Sequence, residues 1–117
     1  MNVEDLRDHC LALAGVSESF PFDESTLVFK VGPKIFALMS LEADPPRLNL
    51  KCDPLLAIEL REQYQTAVLP GYHMNKKHWN TIVCNGELSN AQIKNMIEAS
   101  YNLVFNSLTK VCQNAIL

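Results

Sequence analysis

Glycine is scarce in this chain, four residues in 117, and the signatures that depend on it are missing: no GxGxxG turn, no Walker loop, no GxSxG elbow. That leaves no phosphate-cradling loop built from backbone N–H groups. HExxH is absent too, and the four cysteines (Cys10, Cys52, Cys84, Cys112) form no CxxC pair. Metal clips need closely spaced ligands, so reduced thiols are expected, with neither a metal nor a disulfide framework. No apolar run approaches the roughly 20 residues that a membrane helix requires. The opening segment MNVEDLRDHC carries acids where a secretory leader carries positive charge, which predicts a cytoplasmic location and no membrane partner.

What is present describes one globular domain over residues 1–117, with 48% apolar and 20% charged residues. The net charge of −3 is unevenly spread. Six acids (Glu4, Asp5, Asp8, Glu18, Asp23, Glu24) stand against Arg7 alone before residue 25, whereas no Asp or Glu occurs between Gln63 and Gly86. The acidic whole argues against tight salt-driven binding to nucleic acid and leaves room for a local basic patch.

Periodicity predicts a helix over 2–14, capped by Asn2, with Val3, Leu6, Cys10, Leu13 and Ala14 on one side and Gly15 as the stop. Residues 16–25 read as a polar loop. TLVFKV (26–31) and KIFALMSL (34–41) read as strands, the second apolar on both faces and hence central. In RLNLKC (47–52), Leu48, Leu50 and Cys52 point one way and Arg47, Asn49 and Lys51 the other, giving a polar, basic outer face. Asp53 and Pro54 open a second helix over 53–64, with Leu56, Leu60 and Tyr64 as its stripe. A further strand pair spans TAVLPGYHM and HWNTIVC (78–84). Ser89 and Gln92 form a capping box for a last helix over 90–109, striped by Ile93, Met96, Ile97, Tyr101, Val104, Phe105 and Leu108. The tail VCQNAIL frays or docks. The expected class is α+β, an antiparallel sheet of about five strands covered on one face by helices, in the order α-β-β-β-α-β-β-α.

Chemistry concentrates in PGYHMNKKHWNTIVCNGELS (70–89), which holds two of the three histidines, the only tryptophan and the only adjacent lysine pair. Cations without counter-charges mark an anion-seeking surface, and Tyr72 and Trp79 between them suit base stacking. His73 and His78 are too poorly supported by neighbouring ligands for a metal site. No nucleophile, acid and base with evident geometry can be assembled, so no catalytic residue and no cofactor is expected.

YHMNKKHWNTI (72–82) resembles the hallmark of the MmcQ/YjbR family, a His-Leu-Asn-Lys-x-His-Trp run before a strand, with Met74 in place of leucine. CLALAGVSESFPF (10–22), LNLKCDPLLAIEL (48–60) and ASYNLVFNSL (99–108) are similar to the family's other segments, so the likeness spans roughly residues 3–110. The resemblance implies a CyaY/frataxin-like α+β fold and a DNA-binding role through a double-wing arrangement. The matching positions are His73, Asn75, Lys76, His78 and Trp79. The first expectation is therefore a nucleic-acid-binding module. Lys76 and Lys77 would touch phosphates, Lys51 and Arg47, with Lys30 and Lys34, would extend the patch, and Trp79 or Tyr72 would stack. The alternative is a non-enzymatic module that binds a small ligand or a protein at the same His/Trp corner. By fold analogy alone, the early acids also suggest weak iron binding.

Overall fold

The computed structural model describes residues 1–117. In chain order the elements are α1 (Val3–Leu11), β1 (Val16–Ser19), β2 (Thr26–Val31), β3 (Lys34–Ser40), β4 (Arg47–Lys51), α2 (Pro54–Gln63), β5 (Val68–Pro70), β6 (Trp79–Val83), α3 (Asn90–Ser107) and α4 (Lys110–Ile116). Six strands form one open antiparallel sheet in the order β1-β2-β3-β4-β6-β5. No helix is long and apolar enough to cross a membrane.

The mixed α+β class and the central position of β3 are as the sequence predicts; the strand count is not. Val16–Ser19 is an edge strand paired with β2 rather than part of a loop. Its sequence VSES alternates half-buried and exposed, too short to show a period, and the Nε of Arg7 ties it to α1 by donating to Glu18 Oε2 at 2.7 Å. The tail is a docked helix. Thr109 caps it, and its Ile116 reaches the turn at Gly15, where φ is +72° and a Cβ would lie 2.8 Å from the Ile116 side chain. The stripe on α2 also differs: Ala57 is its buried residue, whereas Leu56 is 44% exposed.

Register divides the sheet residues between two faces. On the helix face, Leu27, Met39, Leu48, Ile82 and Val68 are successive cross-strand partners and all are buried. Leu6 and Cys10 of α1 and Ile93, Ile97 and Val104 of α3 close this core. Burial alone raises the Cys10 thiol to about 12. Fixing α3 in place takes more than apolar contact. Ser100, fully buried in mid-helix, donates from Oγ to the Phe36 carbonyl at 2.6 Å and accepts the Lys51 N–H at 2.8 Å. One hydroxyl thus satisfies groups on β3 and β4, and the neighbouring Tyr101 ring stands edge-on to Phe36 at 5.5 Å.

Ser100→Ala leaves a buried carbonyl and N–H without partners, which costs about 1–3 kcal/mol. Urea unfolding is expected to show a lower midpoint at an unchanged m-value. A midpoint equal to that of the unaltered protein removes Ser100 as the bridge between helix and sheet.

Candidate functional site

Helices cover one face of the sheet. On the other, strand residues of opposite parity line up in two rows: Val28, Leu38, Asn49, Thr81 and Leu69, and beside it Thr26, Ser40, Arg47 and Val83. Three connections rise around this floor and enclose a cavity of about 580 Å³. Phe22 and Asp23 come from the β1–β2 loop, Glu42 and Ala43 from the β3–β4 loop, and Tyr72 and His73 from the β5–β6 loop. The volume lies in the range of small-molecule sites.

The β5–β6 loop is held down by two strand side chains. Asn49 and Thr81 are cross-strand partners, and Thr81 Oγ1 donates to Asn49 Oδ1 at 2.6 Å. Thr81 Oγ1 also accepts the Tyr72 N–H at 3.0 Å, and Asn49 Nδ2 donates to the Tyr72 carbonyl at 3.0 Å. Both backbone groups of Tyr72 are thereby pinned to the floor. The next residue, His73, has φ of +58°, in the left-handed region that non-glycine residues occupy at a cost of roughly 1–2 kcal/mol. The Tyr72 and His73 rings lie 4.0 Å apart between centroids. Gly71 is needed at the loop's start, because a Cβ there would meet the Trp79 carbonyl at 2.8 Å.

The sequence-predicted residues divide. Arg47, Tyr72 and His73 line the cavity. Asn75 and Lys76 serve the loop itself: Asn75 Oδ1 accepts the Lys77 N–H at 2.9 Å, and Lys76 Nζ donates to the Gly71 carbonyl at 3.3 Å. His78 is half-buried, with its carbonyl accepting the Cys52 N–H at 2.8 Å. Trp79 is half-buried opposite Lys51, outside the main core, because it shares the parity of Thr81 rather than that of Ile82. Lys77 is exposed. Lys30 lies on β2, and Lys34 reaches the end of α3, where Nζ donates to the Ser107 carbonyl at 3.3 Å. Of the early acids, Asp5 belongs to the α1 capping box, Glu18 pairs with Arg7, and Asp23 edges the cavity.

Sequence reading missed Phe22, Asp23, Ser40, Glu42, Asn49 and Thr81. Polar residues in mid-strand on a shared face, Asn49 and Thr81 above all, were the available signal. The Asp23 carboxylate accepts the Ser25 and Thr26 N–H groups at 2.9 and 2.7 Å, and these bonds hold its pKa below the usual range. Arg47 contributes the main unmatched group: its Nε is buried and has no hydrogen-bond partner.

The YjbR family model matches residues 11–103. The chain belongs to the YjbR family. It is 42% identical over 100 residues to the uncharacterised protein YbdF of Escherichia coli O157:H7, covering 86% of this chain and 81% of that one. It is 34% identical over 108 residues to the uncharacterised protein YjbR of Escherichia coli K12, covering 92% and 91%. The crystal structure of Deinococcus radiodurans DR2400, a DUF419 domain, superposes with a TM-score of 0.92 at 40% identity over 98% of this chain and 87% of that one. A Pseudomonas syringae protein follows with a TM-score of 0.76 at 28% identity, over 89% and 99%.

Two outcomes test this geometry. Thr81→Val keeps the shape and removes the hydroxyl, and the Tyr72 amide is expected to exchange about tenfold faster as a hydrogen bond of roughly 1.4 kcal/mol is lost; unchanged exchange means the loop is held by something else. Asp23 is expected to titrate below the ordinary aspartate range when its carboxyl carbon is followed by NMR. Its folded pKa is depressed, so its contribution to the turn is present above the unfolded value and is lost as pH falls through the folded one. A midpoint at the unperturbed value means that the turn at Ser25 and Thr26 does not form in solution.

Proposed function

We propose that this protein is a non-enzymatic binding module that takes a small molecule in the cavity on the open face of its sheet. The observation that carries the reading is Arg47, whose buried Nε faces no acceptor although its strand forms the cavity floor. No carboxylate of the chain pairs with the Arg47 guanidinium, and a ligand that brings acceptors into the cavity can engage it through charge-assisted hydrogen bonds. Leu38 adds apolar floor, and Phe22 and Tyr72 add aromatic rim, each 66% exposed. Apolar surface with a few convergent polar groups is the usual make-up of a small-molecule site.

The test is titration of the isotopically labelled protein with a panel of small aromatic and heteroaromatic compounds, followed by amide NMR. Saturable shifts are expected at Leu38, Asn49, Tyr72 and Thr81, and Arg47→Met is expected to weaken binding about tenfold or more. A panel that moves none of these amides removes the reading.

Nucleic-acid binding is the second reading, supported by the acid-free stretch and the exposed Lys77 and Tyr72. It predicts salt-sensitive binding of labelled DNA at about 50 mM salt, weakened in Lys76→Ala/Lys77→Ala with a shallower salt slope. Against its strength stand the Lys76–Gly71 bond and the acids Asp23 and Glu42 beside Arg47. A CyaY/frataxin-like relationship belongs with these proposals, supported by the antiparallel sheet with helices on one face. A cytoplasmic location is supported by four free cysteines, which suit a reducing compartment.

A further inference from the structure

The cavity is lined by charged groups of both signs that form no ion pair within the protein. Arg47 and Glu42 both line it, yet neither belongs to the chain's two ion pairs, Arg7–Glu18 and His9–Glu98. Asp23, the other acid present, is already engaged by Ser25 and Thr26. Asn49 and Thr81 are satisfied by each other and by Tyr72. The groups left for a ligand are therefore a guanidinium that needs acceptors, a carboxylate that needs donors, the Ser40 hydroxyl, the His73 imidazole and the exposed rings of Phe22 and Tyr72.

Each group constrains the ligand. Aromatic rims favour a flat ring, which stacks with little regard to its identity. A guanidinium fork matches two adjacent acceptors, the O6/N7 pattern of guanine. A carboxylate matches two adjacent donors, which guanine carries as N1–H and the exocyclic amine on the edge next to that acceptor pair. Adenine offers no such two-donor edge, and a simple aromatic acid satisfies Arg47 while leaving Glu42 facing another negative charge. We propose that the cavity takes a planar purine ring with the guanine hydrogen-bonding pattern, Arg47 reading the acceptor edge and Glu42 the donor edge. This rests on the small-molecule reading above and gives that site its ligand class. The ring can come from a free nucleoside or from an unpaired base in a single strand.

Calorimetric titration with guanosine, adenosine, inosine and benzoate tests it, with amide NMR locating each compound. Guanosine is expected to bind at least about tenfold more tightly than adenosine. Inosine, which lacks the exocyclic amine, is expected to fall between. Glu42→Gln and Arg47→Lys are each expected to lower guanosine affinity about tenfold without lowering the melting temperature, so that lost binding is not lost fold. A thymidine oligonucleotide with one central guanine separates the sources: tighter binding than guanosine assigns a strand, equal or weaker binding assigns the free nucleoside. Equal affinity for guanosine and adenosine, or benzoate binding at the cavity while guanosine does not, overturns the guanine pattern and leaves the small-molecule site standing. No shift at the cavity from any compound overturns both.

Discussion

Thr81 is 2% exposed, yet it lies on the face of the sheet that no helix covers. Its burial follows from three hydrogen bonds shared with Asn49 and the backbone of Tyr72. A hydroxyl and an amide facing each other between central strands cannot be left dry and unpaired, since each unpaired group costs on the order of 1–3 kcal/mol. The cheapest solution is for a loop to bring its own N–H and carbonyl to them. Two side chains in β4 and β6 therefore decide where residues 71–78 cross the sheet. That placement fixes the Tyr72 and His73 wall of the cavity.

The opposite face is organised by a different requirement. There the strands present one apolar row after another, and α1 and α3 cover them because exposed apolar area costs roughly 25 cal/mol per Å². Ser100 is the exception within that face, and it sets the height and rotation of α3 by bonding to Phe36 and Lys51 together. Lys51 thus connects the two sides: its N–H holds the helix, while its side chain lies on the open face beside Trp79. The sheet is a shared wall. A change that shifts β4 is felt at the core through Leu48 and Leu50 and at the cavity through Arg47 and Asn49.

Much of this was legible in the residue order, and the omissions have physical causes. Alternation in RLNLKC sorts its side chains correctly because one-sided burial imposes a period of two. The capping boxes at Asn2 and Ser89 mark their helices because they satisfy backbone donors locally. VSES hides its strand because pairing with β2, a non-local event, is what makes it one. The Asn-Lys-Lys-His-Trp run marks the family but not the centre of the cavity. Asn75 and Lys76 are spent on shaping a loop, and Trp79 falls on the strand beyond it. Phe22, Asp23 and Glu42 sit in polar connections whose only common property is that the fold brings them over one row of strand residues.

Arg47 is the residue on which the proposed recognition site differs from a merely structural hollow. It shares a row with Thr26 and Ser40, where a leucine would have extended the apolar floor begun by Leu38. An arginine in that position contributes no ion pair and leaves a buried donor unmet. It adds nothing to folding that an apolar residue of similar reach would not supply without the desolvation cost. Its chemistry becomes favourable only when something outside the chain brings acceptors into the cavity. The same holds for Glu42, which is exposed and unpaired in the free protein and, in the proposed complex, would gain a partner on the bound ring. The fold tolerates both residues, and in the proposed site binding is the step at which they would act.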